Sequence, residues 1–354
     1  VEIWTHQSVR IDEYGNTLVP LGQKRIISRK IVYAIQFLKI GSFIYYVDQL
    51  HYSFLSLMRI RKEKSTVTIW SRFPLTILVA CLSRNVKLAI IELHHLPNFL
   101  NILILKLIKN IKPAIICVIS KSAEQNPLYE NIGIPTAVLE MCVPESFIVD
   151  PELLLEAPIR ICYLGKNSSS GNQNNLEFLI YAYAQMKNTN NATFELVGVE
   201  EAATKKLLKL VQELGIEEER IMFRPHMSHL DVSTFLNSVS IGLVPYEMNS
   251  YNSGRFPIKI AEYASKGIWI FATDNFAAHL KLSKEVVYTY KDGDYQDFAH
   301  KLDSLCGELH IHRKRNKKAI EFAKAHTYSN RARVILNRIN SVKTRNFQNK
   351  GSDE

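Results

Sequence analysis

Short apolar runs alternate with helix-length amphipathic stretches along this chain, and the alternation runs through twice. It is cleanest in the second half. There the pattern predicts strands over 160–164, 193–198, 220–223, 240–245 and 268–273. Helices are predicted over 175–187, 200–214, 230–237 and 257–266, then over 295–306 and 313–325. The first half predicts strands over 66–70, 87–92 and 114–119, and helices over 49–62, 75–82 and 98–110. Such alternation is the mark of a parallel sheet covered by helices on both faces. The expected fold class is therefore α/β with two Rossmann-like domains, because 354 residues exceed what one core usually holds.

Residues 147–158, an acidic and Leu-rich stretch holding Pro151 and Pro158, read as a linker. They divide an N-terminal domain over 1–150 from a C-terminal domain over 151–325. An amphipathic stretch over 326–342 follows, and the polar tail 343–354 is expected to be disordered. Val1–Thr5 reads as a strand, and 24–40 and 98–112 as basic amphipathic segments. Such segments either lie on an anionic membrane or turn one face to the core and one to water.

The formal net charge is +10, and residues 1–150 carry 17 Lys and Arg against 11 Asp and Glu. That balance favours anionic partners: nucleotide diphosphates, an anionic membrane or nucleic acid. No recognition motif supports nucleic acid. The five cysteines form no C-x-x-C pair, which suits reduced thiols in a cytoplasmic protein and argues against structural zinc. No apolar run reaches the ~20 residues of a membrane span.

In open α/β sheets ligands sit at the carboxyl ends of the strands. Three strand-end clusters are therefore candidate sites. In the first, Ser253-Gly254-Arg255-Phe256-Pro257-Ile258-Lys259 leads into a helix that carries Glu262. Lys259 in a first turn opposes the helix dipole unless an anion binds there. Arg255 and Lys259 would then serve a diphosphate, and Glu262 sugar hydroxyls. The bland alternative is a solvated helix with a weak Lys259–Glu262 pair. In the second, Gly165-Lys166 opens a loop of small polar residues, suited to an anion but matching neither a dinucleotide fingerprint nor a P-loop. In the third, Glu92-Leu93-His94-His95 ends the 87–92 strand, and Arg72 follows the 66–70 strand. There His94 could act as acid or base, or bind a substrate hydroxyl.

Taken in order, these residues resemble the family 4 glycosyltransferases of the GT-B fold. The resemblance rests on Ile241-Gly242-Leu243-Val244-Pro245, then Pro257-Ile258-Lys259-Ile260-Ala261-Glu262-Tyr263 closed by Lys266-Gly267, then Ile270-Phe271-Ala272-Thr273-Asp274. Tyr163-Leu164-Gly165-Lys166 is similar to the first strand of that family's C-domain, and His326-Thr327-Tyr328-Ser329 to the start of its closing helix. Ser71-Arg72, Glu92-Leu93-His94 and Val118-Ile119-Ser120 are weaker landmarks. The resemblance implies two domains facing each other across a cleft, with the final helix crossing back to the N-domain.

It also implies transfer of a hexose-type sugar from a UDP- or GDP-sugar to a glycan or lipid-linked acceptor. The transfer would retain configuration and need no metal, in surface polysaccharide synthesis at the cytoplasmic face of the membrane. His94, Glu262 and Lys259 would be catalytic. Gly165, Lys166, Arg255, Lys259 and Glu262 would bind the donor, and Arg72, Glu92 and His94 would face the acceptor. The sequence departs from the family in three ways. Gly254 stands where many members carry a first acid, and Gln173 or Asn174 where a phosphate lysine is usual. Val1–Thr5 resembles the second strand of the N-domain, so a first strand and its Gly-rich loop are expected to be missing. These departures keep two alternatives open, a non-catalytic homologue acting as a partner and a nucleotide-sugar epimerase.

Overall fold

The computed structural model describes residues 10–11, 17–18, 41–63, 65–167, 176–187, 192–249 and 252–350. The expected strand at 1–5, the basic segment 24–40 and most of the loop after Lys166 lie outside the described residues. Contacts divide the chain into two units. One comprises residues 1–118, 124–137 and 339–354, and the other 119–123 and 138–338.

In the first unit, β1 (Arg10–Ile11) and β2 (Thr17–Leu18) form a short antiparallel ladder. The main sheet has the order β3 (Val67–Ser71), β4 (Val86–Leu93), β5 (Ala114–Val118) and β6 (Thr136–Val138). The β3–β4 and β4–β5 pairs are parallel. β4 is buried at every position but Lys87, and β5 throughout, as a central strand covered on both faces must be. The Pro74–Cys81 helix packs against both the Gly41–Lys62 and the Phe99–Ile111 helices. Ser53 Oγ donates to Thr76 Oγ1 at 2.9 Å across the first of these contacts. Asn98 caps the third helix, its side chain accepting from Asn101 N–H.

The second unit is a six-stranded sheet, parallel throughout. Its order is β12 (Val287–Tyr290), β11 (Trp269–Thr273), β10 (Ile241–Val244), β7 (Ile159–Asn167), β8 (Ala192–Val199) and β9 (Ile221–Arg224). This is the doubly wound arrangement, in which the order reverses between β7 and β10 and leaves a crevice at their carboxyl ends. One core cluster centres on Phe271, Tyr290 and Phe298, whose rings meet within 5.1 Å of one another.

The structure adds β6, β12 and the Asp274–His279 helix to the elements read from sequence. β12 is a sheet edge with a partly exposed Tyr288–Thr289 pair, so it lacks the solid apolar run of the inner strands. The helix expected from 313 begins instead at Lys317. Arg313 takes a left-handed conformation (φ 47°) that ends the Tyr295–His312 helix, and Asn316 caps the next by accepting from Ala319 N–H. The 147–158 stretch, read as a linker, belongs to the second unit. Leu155 is buried in its core and donates its N–H to the Arg313 carbonyl at 2.8 Å. The last helix runs from Tyr328 to Lys350, so residues 343–350, expected in a disordered tail, are helical. The segment has no Gly or Pro before Gly351 to stop it.

Candidate functional site

The β7–β10 crevice is built around Tyr263. The ladder between these strands ends at Tyr163 opposite Leu243. Beyond it the Tyr263 hydroxyl accepts from Leu164 N–H at 2.9 Å and donates to the Cys162 carbonyl at 3.3 Å. Its ring lies directly on Gly242, where a Cβ would approach ring carbons to 2.4 Å. Glycine at 242 and tyrosine at 263 thus set how closely the Ile258–Ser265 helix approaches the sheet.

That helix begins one residue later than expected, with Pro257 as its N-cap and Lys259 in its first turn, where no acid stands. Lys259 and Glu262 are both buried, at 5% exposure each. The Lys259 ammonium lies 4.0 Å from the centre of the Tyr163 ring and 4.9 Å from that of Tyr246. It meets no hydrogen-bond acceptor among the described residues, and neither does the buried Tyr163 hydroxyl beside it. Burial works against the Lys259 charge, but the two tyrosines outweigh it and hold its pKa above the ordinary lysine value. Burial in turn pushes the Tyr163 phenol up to about 12. Cation–π contact shielded from water contributes about 2 kcal/mol, yet it supplies none of the hydrogen bonds an ammonium requires.

Gly165, Tyr246, Arg255, Lys259 and Glu262 line one cavity of about 390 Å³. A Cβ on Gly165 would stand 2.9 Å from both Lys259 Nζ and the Tyr163 hydroxyl, so only glycine fits beside the buried cation. The Arg255 guanidinium is 5.9 Å from the Tyr246 ring centre. Thr273, at the end of β11, donates to the Tyr246 carbonyl at 2.6 Å and ties down the segment after β10. The Lys166 backbone lies on β7, and its side chain is outside the described residues. The crevice therefore offers two cations, a helix N-terminus and a carboxylate, a set that can neutralise a diphosphate and bind hydroxyls.

The first unit brings its three sequence candidates together. Glu92, buried at the end of β4, accepts from or shares a proton with His94 Nε2 at 2.7 Å. It also accepts from Trp70 Nε1–H at 3.0 Å, and Arg72 Nη2 stands 3.7 Å away. A carboxylate that holds a partly exposed imidazole in one orientation is the arrangement of a positioned acid–base group.

Sequence reasoning missed Tyr163, Tyr246 and Trp70. The period-two rule of a strand places Tyr163 on the same face as Gly165, which was a usable signal. Tyr246 and Trp70 carried none, because their roles depend on contacts with Lys259 and Glu92.

Residues 159–326 match the family model described as Glycosyl transferases group 1. A curated relative is TuaH of Bacillus subtilis (strain 168), named as a glycosyltransferase of teichuronic acid biosynthesis, 30% identical over 79 residues. The match spans 22% of this chain and 20% of that protein. Among solved structures, a glycosyltransferase from Rickettsia africae ESF-5 superposes with a TM-score of 0.66 at 15% identity, covering 92% of this chain and 84% of that one. Anabaena HepE in complex with UDP superposes with a TM-score of 0.63 at 14% identity, covering 82% of each chain. The sucrose-phosphate synthase of Thermosynechococcus elongatus reaches 0.62 at 14%, covering 95% and 86%. The chain shares the GT-B fold of these proteins.

Proposed function

We propose that this protein is a glycosyltransferase that moves a hexose-type sugar from a UDP- or GDP-sugar to a glycan or lipid-linked acceptor in surface polysaccharide assembly. The observation that carries this reading is the buried Lys259 ammonium. It meets no acceptor among the described residues, stands in the first turn of a helix beside Glu262, and borders a cavity at the sheet's switch point. A diphosphate supplies the acceptors that Lys259 lacks. Lys259, Arg255 and the helix N-terminus stabilise the charge that develops on the departing nucleoside diphosphate, while Glu262 holds sugar hydroxyls. His94, oriented by Glu92, acts on the acceptor side with Arg72. The proposed transfer retains anomeric configuration and proceeds without metal. UDP and UDP-glucose in HepE structures support a uridine donor, and the naming of TuaH supports the polysaccharide setting.

The test is thermal melting with UDP, GDP or ADP, for the wild type and for Glu262→Ala. A nucleotide at 100 times its Kd adds about 2.7 kcal/mol of stability. A shift for one nucleotide that weakens in the variant supports the reading and identifies the donor class. No shift with any of the three in folded protein overturns it.

A further inference from the structure

Phe256 stands between Arg255, which lines the cavity, and Pro257, the N-cap of the helix that carries Lys259 and Glu262. The Phe256 ring is buried in the core, at 3% exposure. There it stacks on the imidazole of His326, with 5.7 Å between ring centres and 7° between planes. The Phe322 ring lies against both, 3.9 Å from His326 and 6.4 Å from Phe256. The imidazole is held at both nitrogens. Its Nδ1 is 2.8 Å from the Phe322 carbonyl, and its Nε2 is 2.7 Å from Glu140 Oε2. A carbonyl only accepts, so Nδ1 carries a hydrogen, and the contact at Nε2 needs one proton more, on the ring or on the carboxylate. The His326 backbone is tied as well. Val143 N–H donates to its carbonyl at 3.0 Å, next to the parallel bridge between Val143 and Thr327. All these residues belong to the second unit.

We infer that His326 is a positioning residue for the donor site: held by Glu140, it fixes the Phe256 ring and through it aims Arg255 at the diphosphate of the nucleotide-sugar. The inference rests on the donor reading of Arg255 and Lys259. Apolar packing alone would keep Phe256 in the core, but stacked rings slide over one another at little cost, whereas hydrogen bonds are directional. A ring bonded at both nitrogens has one place and one plane, so the ring stacked on it has a fixed seat. The loop before Arg255 has its own ties. His279 Nε2 faces the Ser253 carbonyl at 2.6 Å, and Asn252 Nδ2 donates to the Glu247 carbonyl at 2.8 Å. Phe256 is the anchor on the other side of the arginine. That placement matters because a guanidinium recognises phosphate by two parallel bonds, and a displacement of about 1 Å can cost such a site a hundredfold.

The experiment is titration calorimetry of the full chain with UDP and with GDP, on the wild type, His326→Ala, Glu140→Ala, Glu140→Gln and Arg255→Ala, and on each alanine variant of the pair combined with Arg255→Ala. His326→Ala and Glu140→Ala should each weaken the diphosphate that the wild type binds by about fivefold or more. Glu140→Gln still offers Nε2 a hydrogen-bond partner and should stay within about twofold of wild type. In the Arg255→Ala background neither alanine should weaken binding beyond about twofold, because the residue they act through is gone. A general loosening of the fold would cost the same factor in both backgrounds. Ligand-free melting curves show which variants fold. Where His326→Ala does not, Glu140→Ala, at a partly exposed side chain, carries the test. Equal losses with and without Arg255, a loss in Glu140→Gln as large as in Glu140→Ala, or unchanged affinity in His326→Ala would each overturn the inference. A wild type that binds neither diphosphate overturns the donor reading and this inference with it. The other results, in a wild type that binds, overturn this inference alone.

Discussion

The Lys259 ammonium rests on the face of the Tyr163 ring, 4.0 Å from its centre, with no hydrogen-bond acceptor within reach among the described residues. The ring therefore holds the cation, and the Tyr163 hydroxyl meets no hydrogen-bond partner with acceptable geometry among the described residues. Tyr163→Phe should keep ligand-free stability within about 1 kcal/mol and preserve the nucleotide-induced shift, since it removes an unsatisfied buried hydroxyl and leaves the π-face. Tyr163→Leu should lose both. Paired melting curves with and without nucleotide check this, and equal damage from Phe and Leu would show that the hydroxyl matters.

Gly165→Ala places a Cβ 2.9 Å from Lys259 Nζ. The lysine end is flexible and shifts, but the buried Tyr163 side chain, 2.9 Å away at its hydroxyl, must give as well, so stability should fall by about 1–3 kcal/mol. Nucleotide affinity should fall at least tenfold as the cation leaves its place. Titration calorimetry reads the affinity, and unchanged affinity would remove Gly165 from the site.

Tyr263→Phe strips the acceptor from the buried Leu164 N–H. An unsatisfied buried amide costs about 1–3 kcal/mol. Urea denaturation should show that loss as a lower midpoint at an unchanged slope.

Glu92→Gln removes the carboxylate that holds His94 Nε2 and faces Arg72. Turnover should drop by about tenfold to a thousandfold, within the range general acid–base groups contribute. The nucleotide-induced melting shift should persist, because donor contacts are assigned to other residues. Wild-type turnover in the variant would leave Glu92 a structural role only.

Lys266 is buried next to Arg315, and burial followed by that neighbouring charge lowers its pKa to about 8. In the unfolded chain it titrates near the ordinary 10.5. Between these values the unfolded state binds more protons than the folded one, so this group makes stability rise with pH from about 8 to about 10. Lys266→Met should be more stable than wild type at pH 7, and the gap should narrow by pH 10. Denaturation of both proteins across that range would show it, and a constant gap would contradict it.

Much of the second unit was legible because its strands are short, solid apolar runs and its helices are bounded by Pro257, Gly215 and Gly267. The residues that gather at the crevice could be named for the same reason, since Gly165 lies near the end of β7 and Arg255, Lys259 and Glu262 fall in the loop and helix that follow β10. The missing pieces share a physical cause. β12 is held at an edge by a neighbour rather than by its own pattern, and the 147–158 stretch is ordered by Leu155 entering a core built from distant residues.

The sequence by itself determined the class of fold, through hydrophobic period, and the chemical types available at each strand end. Only the tertiary structure decided that Lys259 is a buried cation on two aromatic faces rather than a solvated partner of Glu262. The reason is that burial and ring contact join Tyr163 to Tyr246 and Lys259, which lie far from it in the chain and share no pattern with it. The exposed stripe on the Phe99–Ile111 helix is the same case in reverse. Its leucines look like core until the fold shows which of them the core takes.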